Sequence, residues 1–382
     1  MKPLENTRIL DLTRLLPGAI CTMLLGDMGA EIIKVEDPVT GDYARLMPPL
    51  IDGMGAFFRS SNRGKKSIVL DLKQDAGQAV LHRLVEQADA LIEGFRPGVT
   101  ARLGADYQTL RAINPRLVYC SLSGWGQMGP LAHVSGHDLN YIARNGLLGA
   151  ELNPQTLGAK VADVGGAYVG VMGVLAALLQ RERSGRGDYV DVALSEAAMP
   201  FAMLGWVLAS CRNMGSEALS LGGASACYRL YYCADDEPVA LSAVEMKFWA
   251  NFCVAVGKPE WTALHTATAR QPELIEDVSK LFRSKSAADW ADLLDDADCC
   301  FSRITAPEAL HDDPQMKERG MVGITAEGIP WMRSPIRLSG DEPSLLPAPN
   351  HGEHTREVLL GNGFNEADIV ALLETGVIRQ SP

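Results

Sequence analysis

"RILDLTRLLPGAICTMLLGDMGAEIIKVE", residues 8–36, decides the fold class. "RILDLT" (8–13) reads as a strand, "PGAICTMLLGDMG" (17–29) as a helix opened by Pro17 and stopped near Gly29, and "EIIKVE" (31–36) as the next strand. A helix joining two such strands is the unit of a largely parallel sheet. The alternation continues with a helix in "DAGQAVLHRLVEQA" (75–88), a strand in "DALIEG" (89–94) and another in "LVYCSLSG" (117–124). This half is expected to be Rossmann-like. No G-x-G-x-x-G follows the first strand and no P-loop pattern occurs, so the usual signals of dinucleotide and nucleoside-triphosphate binding are missing.

The 382 residues exceed what one core usually serves, which predicts two domains. From about Gly215 the texture changes: "LGGASACYRLYYCADDEPVALSAVEMKFW" (221–249) has strand-like runs split by a polar turn, followed by helices to about Arg319. The expected division is a large domain over 1–214, a smaller α+β domain over 215–330, and a C-terminal part, 331–382. The tail carries a Pro-rich surface stretch, "SLLPAPNHGEHT" (344–355), and a closing helix in "NEADIVALLETG" (365–376).

With 47 acidic and 35 basic residues the net charge is -12, which argues against an unassisted grip on nucleic acid or an anionic membrane. Eight cysteines show no CxxC pair or zinc spacing, and none of the seven histidines forms HExxH, so no metal is expected. Reduced thiols and a start, "MKPLENTRIL", without a basic and then apolar leader point to the cytoplasm. The longest apolar run, "AYVGVMGVLAALL" (167–179), is too short to span a bilayer and is expected as a buried helix.

Three places carry candidate chemistry. In "VADVGGAYVG" (161–170), Asp163 precedes a glycine-rich helix entry; it is either that helix's N-cap or part of a site where backbone N–H groups meet an oxyanion. In "SGHDLNY" (135–141), His137 and Asp138 either open a helix or begin an acid–base site. Glu245, in "LSAVEMKFW", ends an apolar run and either complements a helix start or joins them. Two basic loops, "NRGKKSIVLDLK" (62–73) and "EGFRPGVTARLG" (93–104), are either a solvated face or a means of reaching phosphates at the sheet ends.

Taken in order, "RILDLTRLLPGAICTMLLGDMGAEIIKVE", "NRGKKSIVLDLK", "EGFRPGV", "GHDLNY", "ADVGGAYVGVMGVLAALLQRERSGRGDYVDVAL" and "GEHTREVL" resemble the family III CoA-transferases, and among them the α-methylacyl-CoA racemases. The resemblance implies a Rossmann-like large domain assembled from N- and C-terminal parts, a smaller domain between them, and an interlocked homodimer. It implies an acyl-CoA substrate and no cofactor beyond that CoA. Positions matching the family's CoA contacts are Leu70, Asp71, Leu72, Lys73, Gly94, Phe95, Arg96 and Arg102. In the transferases the aspartate at Asp163 is a nucleophile. In the racemases it is an acid–base residue paired with the histidine of "GHD", here His137, and supported by a glutamate in the second domain, here Glu245, with Asp138 beside the histidine. "GHDLNY" and "AVEMKFW" favour the racemase branch, whereas "ADVGGAY" departs from its "GDFGGG" pattern.

Overall fold

The computed structural model describes residues 2–150, 155–211, 222–338 and 345–381. In chain order the elements that matter are β1 (Arg8–Leu12), α1 (Leu15–Asp27), β2 (Glu31–Glu36), β3 (Lys66–Leu70), α2 (Asp75–Val85), β4 (Ala90–Glu93), β5 (Val118–Ser123), α3 (Asp138–Arg144), α4 (Val161–Ser184), β6 (Tyr189–Ala193), α5 (Leu194–Ala197) and α6 (Met199–Ser210). Then follow β7 (Tyr228–Tyr232), β8 (Pro238–Ser242), α7 (Met246–Ala255), α8 (Gln271–Phe282), α9 (Ala287–Leu294), β9 (Phe301–Arg303), β10 (Val322–Ile324), β11 (Pro330–Met332), α10 (Thr355–Gly361), α11 (Glu366–Glu374) and β12 (Ile378–Arg379).

The chain forms two compact units. One comprises Met1–Leu147, Thr156–Ala202 and Pro314–Pro382; the other comprises Leu148–Gln155 and Met203–Asp313. The expected turning point near Gly215 lies outside the described residues. Residues 314–330, assigned from sequence to the smaller domain, belong to the larger unit. Their β10–β11 hairpin is tied there, because Ser60 Oγ donates to Pro330 O and Arg63 donates to Met332 O at 3.1 Å.

The large sheet has the order β12-β3-β2-β1-β4-β5-β6, parallel except for β12, which pairs antiparallel with β3. Its strands read as apolar runs because helices cover both faces. On one face Leu10, Ile33, Ile68 and Leu91 meet α2 through Val80 and Leu84, and α10 through Leu359. On the other, Ile9, Ile32, Ile92 and Cys120 meet α1 through Leu25 and α4 through Val171 and Val174. The strand order reverses between β1 and β4, and doubly wound sheets open a crevice at the strand ends there.

α4 is longer than the sequence suggested: at 24 residues it is long and apolar enough to cross a membrane by length and composition. Half of its most apolar window is nevertheless buried within the protein. Gly170 and Gly173 let it lie close to the sheet; a Cβ on Gly170 would come within 2.9 Å of Leu122 Cδ2, and one on Gly173 within 2.5 Å of Val190 Cγ1.

The second unit holds a three-stranded antiparallel sheet, β9-β8-β7. Trp249 of α7, Phe282 of α8 and Trp290 of α9 fill its core beside Tyr231 and Val239. The polar turn expected between two strands in 221–249 is the β7–β8 turn, where Asp236 has φ 62°. In the tail, Pro349 O accepts from Arg45 at 3.0 Å, which fixes the Pro-rich stretch to the larger unit; its first residue, Ser344, lies outside the described residues.

Candidate active site

At the reversal point, the loops after β1, β4 and β5 surround a cavity of about 600 Å³. His137 and Asp163 both line it. Each is held by a local device written into its own stretch of sequence.

His137 is the N-cap of α3, and its backbone N–H donates to Asn140 Oδ1 at 3.0 Å. Tyr141 OH donates to Gly136 O at 2.6 Å, and its ring occupies the space that a Cβ on Gly136 would need. Trp125 meets that ring edge-on at 4.9 Å. The turn is thereby fixed on both sides of the histidine.

Asp163 is not the N-cap of α4. It sits at the third position of the first turn, with Lys160 as N-cap, and the capping is done from outside. Asp138 is buried, and its Oδ1 accepts from the N–H groups of Ala162 at 2.7 Å and Asp163 at 3.1 Å. Asp138 therefore joins the two helix starts that carry His137 and Asp163. The amides expected to meet an oxyanion are thus occupied, and Gly165 and Gly166 lie inside the helix, where they face Ala197 O and the Leu194 side chain of α5. Those glycines serve helix packing, not ligand approach.

Burial raises the Asp163 carboxyl and the neighbouring Asp138 charge raises it further, while His137 and Lys160 pull it down; the result is about 6. Such a group holds or releases a proton near neutrality, which is what acid–base catalysis requires.

The remaining expected residues divide. Gly94, Phe95 and Arg96 line the 600 Å³ cavity. Leu70, Asp71, Leu72 and Lys73 line a second one of about 130 Å³, which Phe95 and Arg14 also border. Arg14 pairs with Asp37 at 2.7 Å and lies over the rings of Tyr43 and Phe95, so this cluster stands where the two cavities meet. Arg102 lies on an exposed short helix, Val99–Arg102, and lines neither cavity. Glu245 belongs to the other unit, exposed as the N-cap of α7.

The loop "NRGKK" does not reach toward phosphates, because its polar groups are used internally. Arg63 pairs with Asp27 at 2.7 Å. Lys65 is buried and donates to Thr22 Oγ1 at 2.7 Å, Asn62 Oδ1 at 2.8 Å, and Asp11 Oδ2 and Ala19 O at 3.2 Å.

Sequence reasoning missed Glu93. In the register of β4, β5 and β6 it stands beside Ser121, which stands beside Asp191. Glu93 accepts from Phe95 N at 2.7 Å and lies 2.5 Å from Ser121 Oγ, which also accepts from Gln127 Nε2 at 2.6 Å. One carboxyl thus ties the loop after β4 to the loop after β5. Burial pushes it up to about 7, and Asp191 adds to the rise. The only sequence signal is an acid ending an apolar strand.

The model of CoA-transferase family III matches residues 4–355. The chain belongs to that family. It is 34% identical to the α-methylacyl-CoA racemase of Mus musculus over 97% of this chain and 96% of the relative. It is 32% identical to the acetyl-CoA:oxalate CoA-transferase of Acetobacter aceti, over 90% and 92% respectively. A solved CAIB/BAIF family protein from Brucella suis superposes with a TM-score of 0.81 at 28% identity, covering 94% of this chain and 99% of that one. The mixed α/β fold with a large parallel sheet is therefore that of the family, and the chain is an enzyme of the family III transferase and racemase group. Relatives performing either reaction stand at nearly the same identity.

Proposed function

We propose that the protein is a racemase that inverts the α-carbon of a 2-methylacyl-CoA through an enolate. The observation that carries this reading is the presence of a histidine and a carboxyl of raised affinity for protons in one largely apolar cavity. In one direction His137 takes the α-proton, the electron pair moves into the thioester carbonyl, and protonated Asp163 returns a proton to the opposite face; in the other, the roles reverse. Asp138 positions the pair rather than exchanging protons; for Glu245, exposed as the N-cap of α7, a role in support of His137 rests on the family resemblance alone.

CoA enters only as part of the substrate. Its nucleotide would lie against Leu70–Lys73 and its thioester arm beside Gly94–Arg96, with Phe95 at both cavities. The working form is a homodimer, a reading supported by α6, where Phe201 is 62% and Trp206 69% exposed in the single chain. Sedimentation equilibrium tests it, and a monomer at assay concentration refutes it.

The test of the reaction is a single enantiomer of a 2-methylacyl-CoA incubated in deuterated water. Inversion with deuterium at C2, lost in both His137→Ala and Asp163→Ala, supports the racemase. Retained configuration without exchange refutes it. A second reading, CoA transfer with Asp163 as nucleophile, is favoured by the transferases among the relatives. It predicts an acyl-enzyme at Asp163 that hydroxylamine traps, which the racemase never forms.

A further inference from the structure

Among the described residues no side chain hydrogen-bonds the ring of His137, so its direction follows from the backbone beneath it. The peptide that enters His137 is gripped at both ends from α3. Its N–H donates to Asn140 Oδ1 at 3.0 Å, and its carbonyl, Gly136 O, accepts from Tyr141 OH at 2.6 Å. A peptide plane held at one end can still tip about the chain direction; held at both, it cannot.

Tyr141 is itself fixed. It is 7% exposed, it lines the larger cavity, and Trp125 packs edge-on against its ring. The phenol fills space that two glycines leave open. A Cβ on Gly124 would collide with its Oη, and one on Gly136 would fall 2.8 Å from its Cε1. Neither glycine has a positive φ, so it is the missing side chain, and not backbone freedom, that the tyrosine requires of them. Gly124 directly follows β5, so the phenol fastens the start of α3 to the end of the sheet. Burial raises the pKa of the phenol and Asp163 raises it further, against the pull of Arg96, so the hydroxyl keeps its proton and remains a donor.

This grip reaches one of the two proton-transfer groups only. Asp163 is placed by α4, whose first amides are held by Asp138 Oδ1, and among the described residues Tyr141 adds no hydrogen bond to that arrangement.

We infer that Tyr141 is a positioning residue for the reaction: through the carbonyl of Gly136 it holds His137 against one face of the α-carbon, without setting Asp163 against the other. The inference rests on the racemase reading, in which each enantiomer loses its α-proton to a different one of the two groups. From the enantiomer whose hydrogen faces Asp163, the proton passes to the carboxylate and the C–H electron pair moves into the thioester carbonyl. Asp163, once exchanged with solvent, then returns a deuteron to the same face, or His137 delivers one to the other.

Tyr141→Phe keeps the ring and loses the grip. Each enantiomer of a 2-methylacyl-CoA is supplied separately in deuterated water, and inversion and exchange at C2 are followed. Inversion is expected to slow about tenfold in both directions, the scale for a catalytic group displaced by a fraction of an ångström. From the enantiomer facing His137, exchange slows in step. From the other, exchange continues near the unaltered rate with configuration retained, and KM changes little because the lost hydroxyl points into backbone. Asn140→Ala frees the opposite end of the same peptide and should give the same asymmetry; if thermal unfolding shows that Tyr141→Phe does not fold, Asn140→Ala decides by the same criteria. An unchanged inversion rate, or an equal loss of exchange from both enantiomers, overturns the inference alone. Absence of inversion in the unaltered protein overturns the racemase reading and the inference with it.

Discussion

Replacing Glu93 with glutamine should make the protein more stable at alkaline pH and leave it nearly unchanged at acidic pH. The Glu93 carboxyl, ordinarily near 4.5, is pushed up to about 7. Between those values the native state holds a proton that the unfolded chain has lost, so stability falls as pH rises through this window and the loss is complete above it. At about 1.4 kcal/mol for each unit, the penalty above neutrality is about 3 kcal/mol, with little relief from solvent because Glu93 is only 3% exposed. Glutamine keeps both bonds, since its oxygen accepts from Phe95 N and its NH2 donates to Ser121 Oγ, yet it carries no charge to bury. Urea unfolding of both proteins between about pH 4 and about pH 8 reads the difference. The two curves should coincide at the acidic end and separate by about 3 kcal/mol at the other. A constant offset across the range would refute the reasoning, because it would mean that Glu93 ionises in the fold as freely as in the open chain.

If His137 and Asp163 share one catalytic proton, exchange is lost when both are protonated and when neither is, giving a bell-shaped profile; a transferase needs only ionised Asp163, and its rate should rise through about 6 to a plateau. Asp138→Asn keeps an oxygen for the α4 amides but removes the charge that raises Asp163, so the Asp163 titration should move down with little loss of stability. Asp138→Ala removes the cap as well and should cost about 1 kcal/mol in thermal unfolding. Gly173→Ala drives a methyl against Val190, whose branched side chain cannot rotate away, and should destabilise by about 1–3 kcal/mol while exchange by the folded fraction is unchanged. Gly166→Ala meets the end of the flexible Leu194 side chain, which lines the cavity, so here the KM for acyl-CoA should change more than stability.

Strands β1, β2, β4 and β5 of the large sheet were legible because burial on both faces leaves near-continuous apolar runs, and "EIIKVE" occupies β2 residue for residue, whereas β3 (Lys66–Leu70) lies inside the stretch read as a basic loop, where its flanking charges masked the apolar run. His137 and Asp163 were legible as a pair through resemblance, while their local patterns left two readings each. The role of Asp138 was not legible, because the amides it caps belong to a helix starting more than twenty residues later. The same holds for Glu93, whose partner Ser121 is its neighbour only through strand register. "NRGKK" misled for the opposite reason: its charges suggested solvent or phosphate, whereas Lys65 satisfies four acceptors inside the fold. Apolar periodicity reports burial on a face, but it carries no record of which buried polar groups meet.

The pairing of β12 with β3 has a consequence for synthesis on the ribosome. Ile378 lies opposite Leu70, and Val377 O accepts from Asp71 N at 2.8 Å, so the strand leading into the smaller cavity is completed by residues translated long after it. Until they emerge, β3 presents an unpaired edge of the kind that recruits other chains. The nascent protein must keep that edge covered or solvated through most of its elongation.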